Sequence, residues 1–253
     1  MARISLNNNL PSTGKRSKRT KYVHLIIRGS AWPSFFLYAR LVFYINNKIT
    51  KKERDMNNIT TRNVAFFDAE FTAKSEKNRG VQEMIQCAFI VYQIEVSEDD
   101  KLISVDEQPL FTYNTFVRPI YNQELSDYIK ELTGIKQDEV DSGKSFDDVI
   151  CDVNSAINEW RVTDILTWGP DKLLFRNNCN VVNCDKRKSN YICRKFVDVS
   201  GKLSDYFGYD VVISQHKVCQ LLGVEEIGNR HDAYSDAINL SQIIKELCGQ
   251  ICL

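Results

Sequence analysis

An apolar run of the chain, N-V-A-F-F-D-A-E-F-T at residues 63–72, carries Asp68 and Glu70 two residues apart. Alternate residues of a strand share a face, so in a strand Val64, Phe66, Asp68 and Glu70 point the same way. Two carboxylates side by side near a sheet surface repel, and burial raises the cost of each charge. Either one of them holds a proton, or a cation sits between them, or the strand end emerges into water and both are solvated. The same conflict recurs near the C-terminus. Ala233, Ala237, Leu240, Ile244 and Leu247 mark the apolar stripe of a helix, and Asp236 falls on that inward side. His231 stands five residues earlier, about 140° off the face of Asp236 on a helix. It is better placed on the preceding loop, reaching in from the helix N-terminus with Asp232 as the cap. Asp171, in L-T-W-G-P-D-K-L-L-F, opens a helix after a Gly-Pro break. Alone it reads as an ordinary acid in a first helical turn.

Together these residues define a chemistry. Asp68, Glu70, Asp171 and Asp236 are an oxygen-only ligand set, which suits Mg²⁺ or Mn²⁺ better than zinc. Two such ions roughly 3.5–4 Å apart stabilise the attacking and leaving oxygens of an in-line displacement at phosphorus. The attacking water must also lose a proton, and a histidine such as His231 can accept it at neutral pH.

The elements that must hold these residues follow from periodicity. Residues 63–71, 84–96 and 111–117 read as strands, the last stopped by Pro119. Residues 124–133 and 145–160 read as helices, the second with Phe146, Val149, Ile150, Val153, Ile157 and Trp160 at helical spacing. A short strand at 163–168, a short helix after Pro170, a further strand at 195–199 and a closing helix from Ala233 to Leu247 complete the pattern. Strands followed by alternating helices and strands predict an α/β layer fold, a mixed sheet with helices on its faces.

The formal net charge is zero over 253 residues, but it is unevenly spread. Residues 1–55 hold twelve basic and two acidic residues, a net +10; residues 56–253 hold 21 basic and 31 acidic, a net −10. The split predicts two unlike parts. Residues 22–45 are apolar, but Arg28, Pro33 and Arg40 interrupt them, which is too broken for a span of about 20 residues. Residues 1–55 therefore read as a dispensable extension, translated from upstream of a natural start at Met56; the alternatives are an anchor or a substrate-binding basic arm. No stable membrane association is expected. Seven of the eight cysteines follow residue 150, and reduced thiols in a cytoplasmic protein are expected rather than disulfides. Cys179, Cys184 and Cys193 lack a C-x-x-C pair and read as buried small thiols rather than a zinc site. The acidic body is not that of a tight nucleic-acid binder, although Lys186, Arg187, Lys188, Arg194 and Lys195 make a local basic patch.

The chain resembles the DnaQ-like exonucleases of the DEDDh type. The likeness is carried by F-F-D-A-E-F-T with Asp68 and Glu70, by T-W-G-P-D-K-L-L-F-R-N-N-C with Asp171, and by H-D-A-Y-S-D-A with His231 and Asp236. E-L-T-G-I at residues 131–135 and F-T-Y-N-T-F-V-R-P at residues 111–119 are further echoes. Within the family it looks nearest to the KapD-like branch. The resemblance spans about residues 62–247. It implies an RNase H-like three-layer fold with a mixed five-stranded sheet. It implies Asp68, Glu70 and Asp236 as ligands of two Mg²⁺ or Mn²⁺ ions, Asp171 as support for the second ion, and His231 as general base. It also implies that Phe71 and Thr72, with Leu132 and Ile135, line the pocket for the terminal nucleotide. Trp168 reads as a core residue, with base stacking as the alternative. The implied reaction is 3′ to 5′ hydrolysis at the 3′ ends of single-stranded RNA or DNA. The rival readings are a catalytically silent binding module of the same fold and a membrane-tethered adaptor.

Overall fold

Strand β1, Thr60–Phe71, contains the predicted strand and begins three residues before it. Both of its faces are apolar, so it can only be central. Val64 and Phe66 are buried on one side, and Ala65, Phe67 and Ala69 on the other. The structure, a computed structural model, describes residues 59–74 and 80–253. The expected extension 1–55, its apolar run and the start at Met56 lie outside the described residues.

β1 pairs antiparallel with β2, Met84–Val96, and parallel with β5, Val162–Thr167, which in turn pairs parallel with β6, Phe196–Asp198. The other edge of β2 is shared. β3, Leu102–Val105, pairs with Ile94–Val96, and β4, Phe111–Phe116, pairs with Gln86–Val91. Six strands thus occupy five positions of a mixed sheet, which reconciles them with the five-stranded expectation. β3 was not predicted. Its four residues, L-I-S-V, are too few to show a period-2 pattern, and the long partner strand β2 supplies its order.

Helices cover both faces. On one side α3, Phe146–Glu159, α4, Asp171–Val182, and α5, Lys186–Lys195, pack on Ala65, Phe67, Cys87 and Phe89. On the other, α6, Ser200–Tyr206, α7, Gln215–Leu222, and α8, Ala233–Glu246, pack on Val64, Phe66, Ala88 and Ile90. A smaller cluster joins α1, Asp127–Thr133, and α2, Gln137–Asp141, to Ile85. This is the expected three-layer arrangement. α2, α5, α6 and α7 were not predicted, because each is ten residues or shorter and most of its surface is polar. The helix after Pro170 is longer than expected, since L-L-F-R-N-N-C-N-V-V continues it to Val182.

All eight cysteines are free, and Cys179, Cys184 and Cys193 are buried in the core beside α4 and α5. Burial pushes the Cys179 thiol up, which disfavours the thiolate that zinc needs. Trp168 packs against the α8 side of the core, and its Nε1 donates to the Ile213 carbonyl at 3.2 Å. Among the described residues no helix is long and apolar enough to cross a membrane.

Candidate active site

Parallel pairing of β1 and β5 brings their C-terminal ends to the same edge of the sheet. Asp68 and Glu70 continue the face of Val64 and Phe66 beyond the last apolar pair. They therefore emerge under the N-terminus of α8, which packs on that face. The register with β2 shifts between Glu70 and Phe71, a bulge that turns the chain just after the second acid. From β5 the chain reverses through Gly169, whose φ of 108° is open only to glycine, and Pro170. Asp171 then stands at the first position of α4, 5% exposed.

The fourth acid and the histidine come from α8 and the loop before it. Asp232 is the cap, accepting from the Ser235 backbone N–H at 3.0 Å and the Ser235 hydroxyl at 2.6 Å. Gly228, at φ 71°, lets that loop lie against the helix, because a Cβ there would collide with the Ser235 side chain. His231 sits in the left-handed region at φ 62°, uncommon for a residue with a side chain. One Asp236 oxygen, Oδ2, accepts the His231 backbone N–H at 3.0 Å, which holds this conformation.

Glu70, His231 and Asp236 each place a ligating atom within 4.8 Å of the others. Asp68 lies outside that triplet but within the same field: burial first, then the charges of Asp171, Glu70, Asp236 and Asp232, push its carboxyl well above the usual range. Burial and the same neighbours push Glu70 up to about 8. Burial, with Asp198 adding, pushes Asp171 up to about 7 despite its own backbone N–H. Asp236 is raised too, chiefly by burial. Among the described residues, no lysine or arginine forms an ion pair with any of the four. Carboxylates gathered this closely, without protein cations, are the donor set a hard divalent ion fits.

The four residues expected to line a nucleotide pocket have uneven exposure. Phe71 and Ile135 are buried in core clusters, and Leu132 is half-buried. Thr72 is buried, its hydroxyl accepting from Glu83 N–H at 2.9 Å and from Asn122 Nδ2 at 3.2 Å.

Three positioning residues on or against β2 escaped the sequence reading. Gln86, 2% exposed and opposite Glu70 in register, donates to Asp232 Oδ1 at 2.7 Å and accepts Ala233 N–H at 3.1 Å. It ties the start of α8 to the sheet. Asn178, two turns along α4 from Asp171, accepts Met84 N–H at 2.8 Å and donates to Gln82 O at 2.8 Å. Glu83 accepts backbone N–H groups of Ile120, Tyr121 and Asn122. For Gln86 the signal was a polar residue at an otherwise apolar strand position; Asn178 on α4 and Glu83 ahead of β2 carried none. Gln86→Leu should leave Ala233 N–H unpaired and lower stability by about 1–3 kcal/mol. It should lower kcat by up to about 100-fold, as a ligand misplaced by ~1 Å does. Thermal melting and steady-state rates on a short oligonucleotide check both, and an unchanged kcat would show that α8 is held without it.

The exonuclease family model RNase_T matches residues 65–244, the span that contains all four acids and His231. The chain belongs to this exonuclease family. Among curated proteins it is similar to the probable 3′-5′ exonuclease KapD of Bacillus subtilis, 26% identical over 195 residues, 74% of this chain and 85% of that one. It is also similar to eri1, a 3′-5′ exonuclease of Schizosaccharomyces pombe, 24% identical over 58% of this chain and 57% of that one. The third is the human 3′-5′ exoribonuclease 1, 25% identical over 56% of this chain and 42% of that one. The chain thus spans about half the length of the latter two. Among solved structures, a 3′-exonuclease with a histone mRNA stem-loop aligns at TM-score 0.63 and 20% identity over 90% of this chain and 77% of that one. The nuclease domain of 3′hExo, a DEDDh family member bound to rAMP, aligns at TM-score 0.61 and 19% identity over 75% and 93%. These structures share the fold, an RNase H-like exonuclease sheet flanked by helices.

Proposed function

We propose that this exonuclease hydrolyses the terminal phosphodiester of single-stranded RNA or DNA in the 3′ to 5′ direction, releasing nucleoside monophosphates with two divalent ions, Mg²⁺ or Mn²⁺. The observation that carries the reading is the group of four acids on β1, α4 and α8, unpaired by any described lysine or arginine, with His231 beside Glu70 and Asp236. The names of the curated relatives support the direction of attack.

When bound, the ions supply charge for the scissile phosphate and an acidified water. Asp68, Glu70 and Asp236 would hold them, with Asp171 behind the second. The chain does the rest. Asp236 fixes the His231 backbone through Oδ2, so the imidazole is presented from a constrained loop rather than a mobile one. His231 would accept the proton of the attacking water. Thr72 and the Leu132–Ile135 turn would border the terminal nucleotide.

The test is hydrolysis of 5′-labelled single-stranded RNA and DNA 20-mers, with Mg²⁺, with Mn²⁺ and with excess EDTA. A ladder shortening from the 3′ end, mononucleotide release and loss of at least 10³-fold in EDTA are expected, because metal supplies several kcal/mol of transition-state stabilisation. Endonucleolytic fragments, or turnover that survives chelation, would exclude the mechanism.

A further inference from the structure

We propose that the outer faces of α4 and α5 form a track for the phosphate backbone of the substrate upstream of its 3′ end. The proposal rests on the nuclease reading above and names a second contact region for the same substrate.

The track stands out by charge. Residues 171–195 hold seven basic residues and two acids, within a segment, 56–253, that is otherwise strongly acidic. Neither acid neutralises it. Asp171 belongs to the buried carboxylate group, and Asp185 is the α5 cap, accepting the backbone N–H groups of Arg187 and Lys188. Among the described residues, none of the seven cations forms a salt bridge.

The helix periodicity then sorts the side chains. α5 buries Ser189, Ile192 and Cys193. Arg187, Asn190, Tyr191 and Arg194 fall at the i, i+3, i+4 and i+7 positions of the opposite face, and all four are exposed. Tyr191 is 39% exposed, with Lys195 Nζ 5.0 Å from its ring centroid. A stripe of guanidinium, amide, aromatic ring and guanidinium is what a single strand needs: charge for phosphates and a π-face for a base. An acidic protein partner would match the charge, but the run of cations leading from the carboxylate group favours the strand that the group would cut.

The stripe is continuous with the site. Arg176 of α4 lies beside Cys193 of α5, and Lys172 is close enough to act on the same thiol electrostatically. Lys172 directly follows Asp171. The sequence of cations leading away from the carboxylates is thus Lys172, Arg176, Arg194 and Arg187. α4 has 12 residues, about 18 Å of helix. Stacked nucleotides rise ~3.4 Å each along a strand, so the far end of the track meets the substrate about five nucleotides from its 3′ end.

The test compares the full-length chain with its Arg187→Gln/Arg194→Gln variant and with a Lys101→Gln/Lys202→Gln control of equal charge change. Anisotropy of a labelled single-stranded 20-mer in EDTA gives affinity against salt, and hydrolysis of a trinucleotide with Mg²⁺ gives turnover. The variant should bind the 20-mer about tenfold more weakly at 0.1 M salt, with a slope of log K against log salt shallower by ~1.4, two contacts at 0.7 each. Trinucleotide turnover should equal wild type, and the control should behave as wild type in both assays. Equal 20-mer binding by variant and wild type, as for a face that serves an acidic protein instead, overturns the proposal. So does an equal loss in the control, which would make the effect one of net charge. Absence of wild-type turnover on any substrate would instead remove the nuclease reading, a result the binding data cannot mimic.

Discussion

Asp68→Ala and Asp236→Ala should each abolish hydrolysis and leave a folded protein that, in the presence of a chelator, melts higher than the parent. The carboxylates that make the site also destabilise it when no cation is bound. Burial raises Asp68, Glu70 and Asp236, and neighbouring carboxylates raise them further, Asp232 and Glu226 in the case of Asp236, so removing one buried charge removes a cost. Removing one charge from such a group stabilises on the order of 1–3 kcal/mol, or about 2–4 °C per kcal/mol for a body of this size. The pH dependence has a fixed sign. Glu70 moves from 4.5 to about 8 and Asp171 from 3.8 to about 7 on folding, so between these limits the folded state binds more protons than the unfolded one. Their contribution is fully present below the unfolded values and is lost as pH rises through about 7 and 8. Asp152 and Asp185 are lowered instead and titrate below that window. Metal-free protein should therefore melt lower at pH 8 than at pH 5, Mg²⁺ should reverse the loss, and Asp68→Ala should flatten the slope. Wild-type turnover by either variant, or melting in EDTA that does not change with pH, would show that these acids are not gathered as described.

The parts of this arrangement legible in the sequence are those where a residue type contradicts its position. Asp68 and Glu70 interrupt an apolar strand, and Asp236 interrupts an apolar helix stripe; burial of each demands a reason that a sequence alone can pose. The long elements were legible too, since β2 and α3 carry enough residues to show a period. β3 and α5 were not, because four residues are too few to show a period and ten residues of mostly polar text take their order from neighbours. Gln86 was visible as a polar residue in an apolar strand, but its role was not. A glutamine inside M-I-Q-C-A-F-I-V-Y looks like a tolerated substitution until the fold places Asp232 and Ala233 against it. The basic residues of 186–195 were visible as a cluster, but only the helix separates the stripe of Arg187 and Arg194 from Lys188 and Lys195, which turn inward to Cys151 and the Val162 carbonyl.

His231→Ala should lower kcat by about two to four powers of ten, the range a positioned proton acceptor supplies, with the concentration of Mg²⁺ needed for half-maximal rate nearly unchanged. Two roles fit the position of this residue. Its ring nitrogen lies within 4.8 Å of the ligating atoms of Glu70 and Asp236, a spacing that would suit a third metal ligand as well as a base. The chemistry of the donors separates them. Mg²⁺ prefers oxygen, and Asp68 stands in the same field where it would complete an all-oxygen set, which would leave the imidazole for proton transfer. The backbone supports this division. His231 is held at positive φ by a hydrogen bond to Asp236 Oδ2, so one oxygen of that acid orients the loop, which would leave Oδ1 to an ion. A variant that keeps the bond but loses the ring, His231→Ala, should retain metal affinity by calorimetry while its rate falls. His231→Asn, which restores a neutral polar side chain but no base, should be equally slow. If metal affinity instead falls by an order of magnitude or more, His231 is a ligand and the proton leaves by another route.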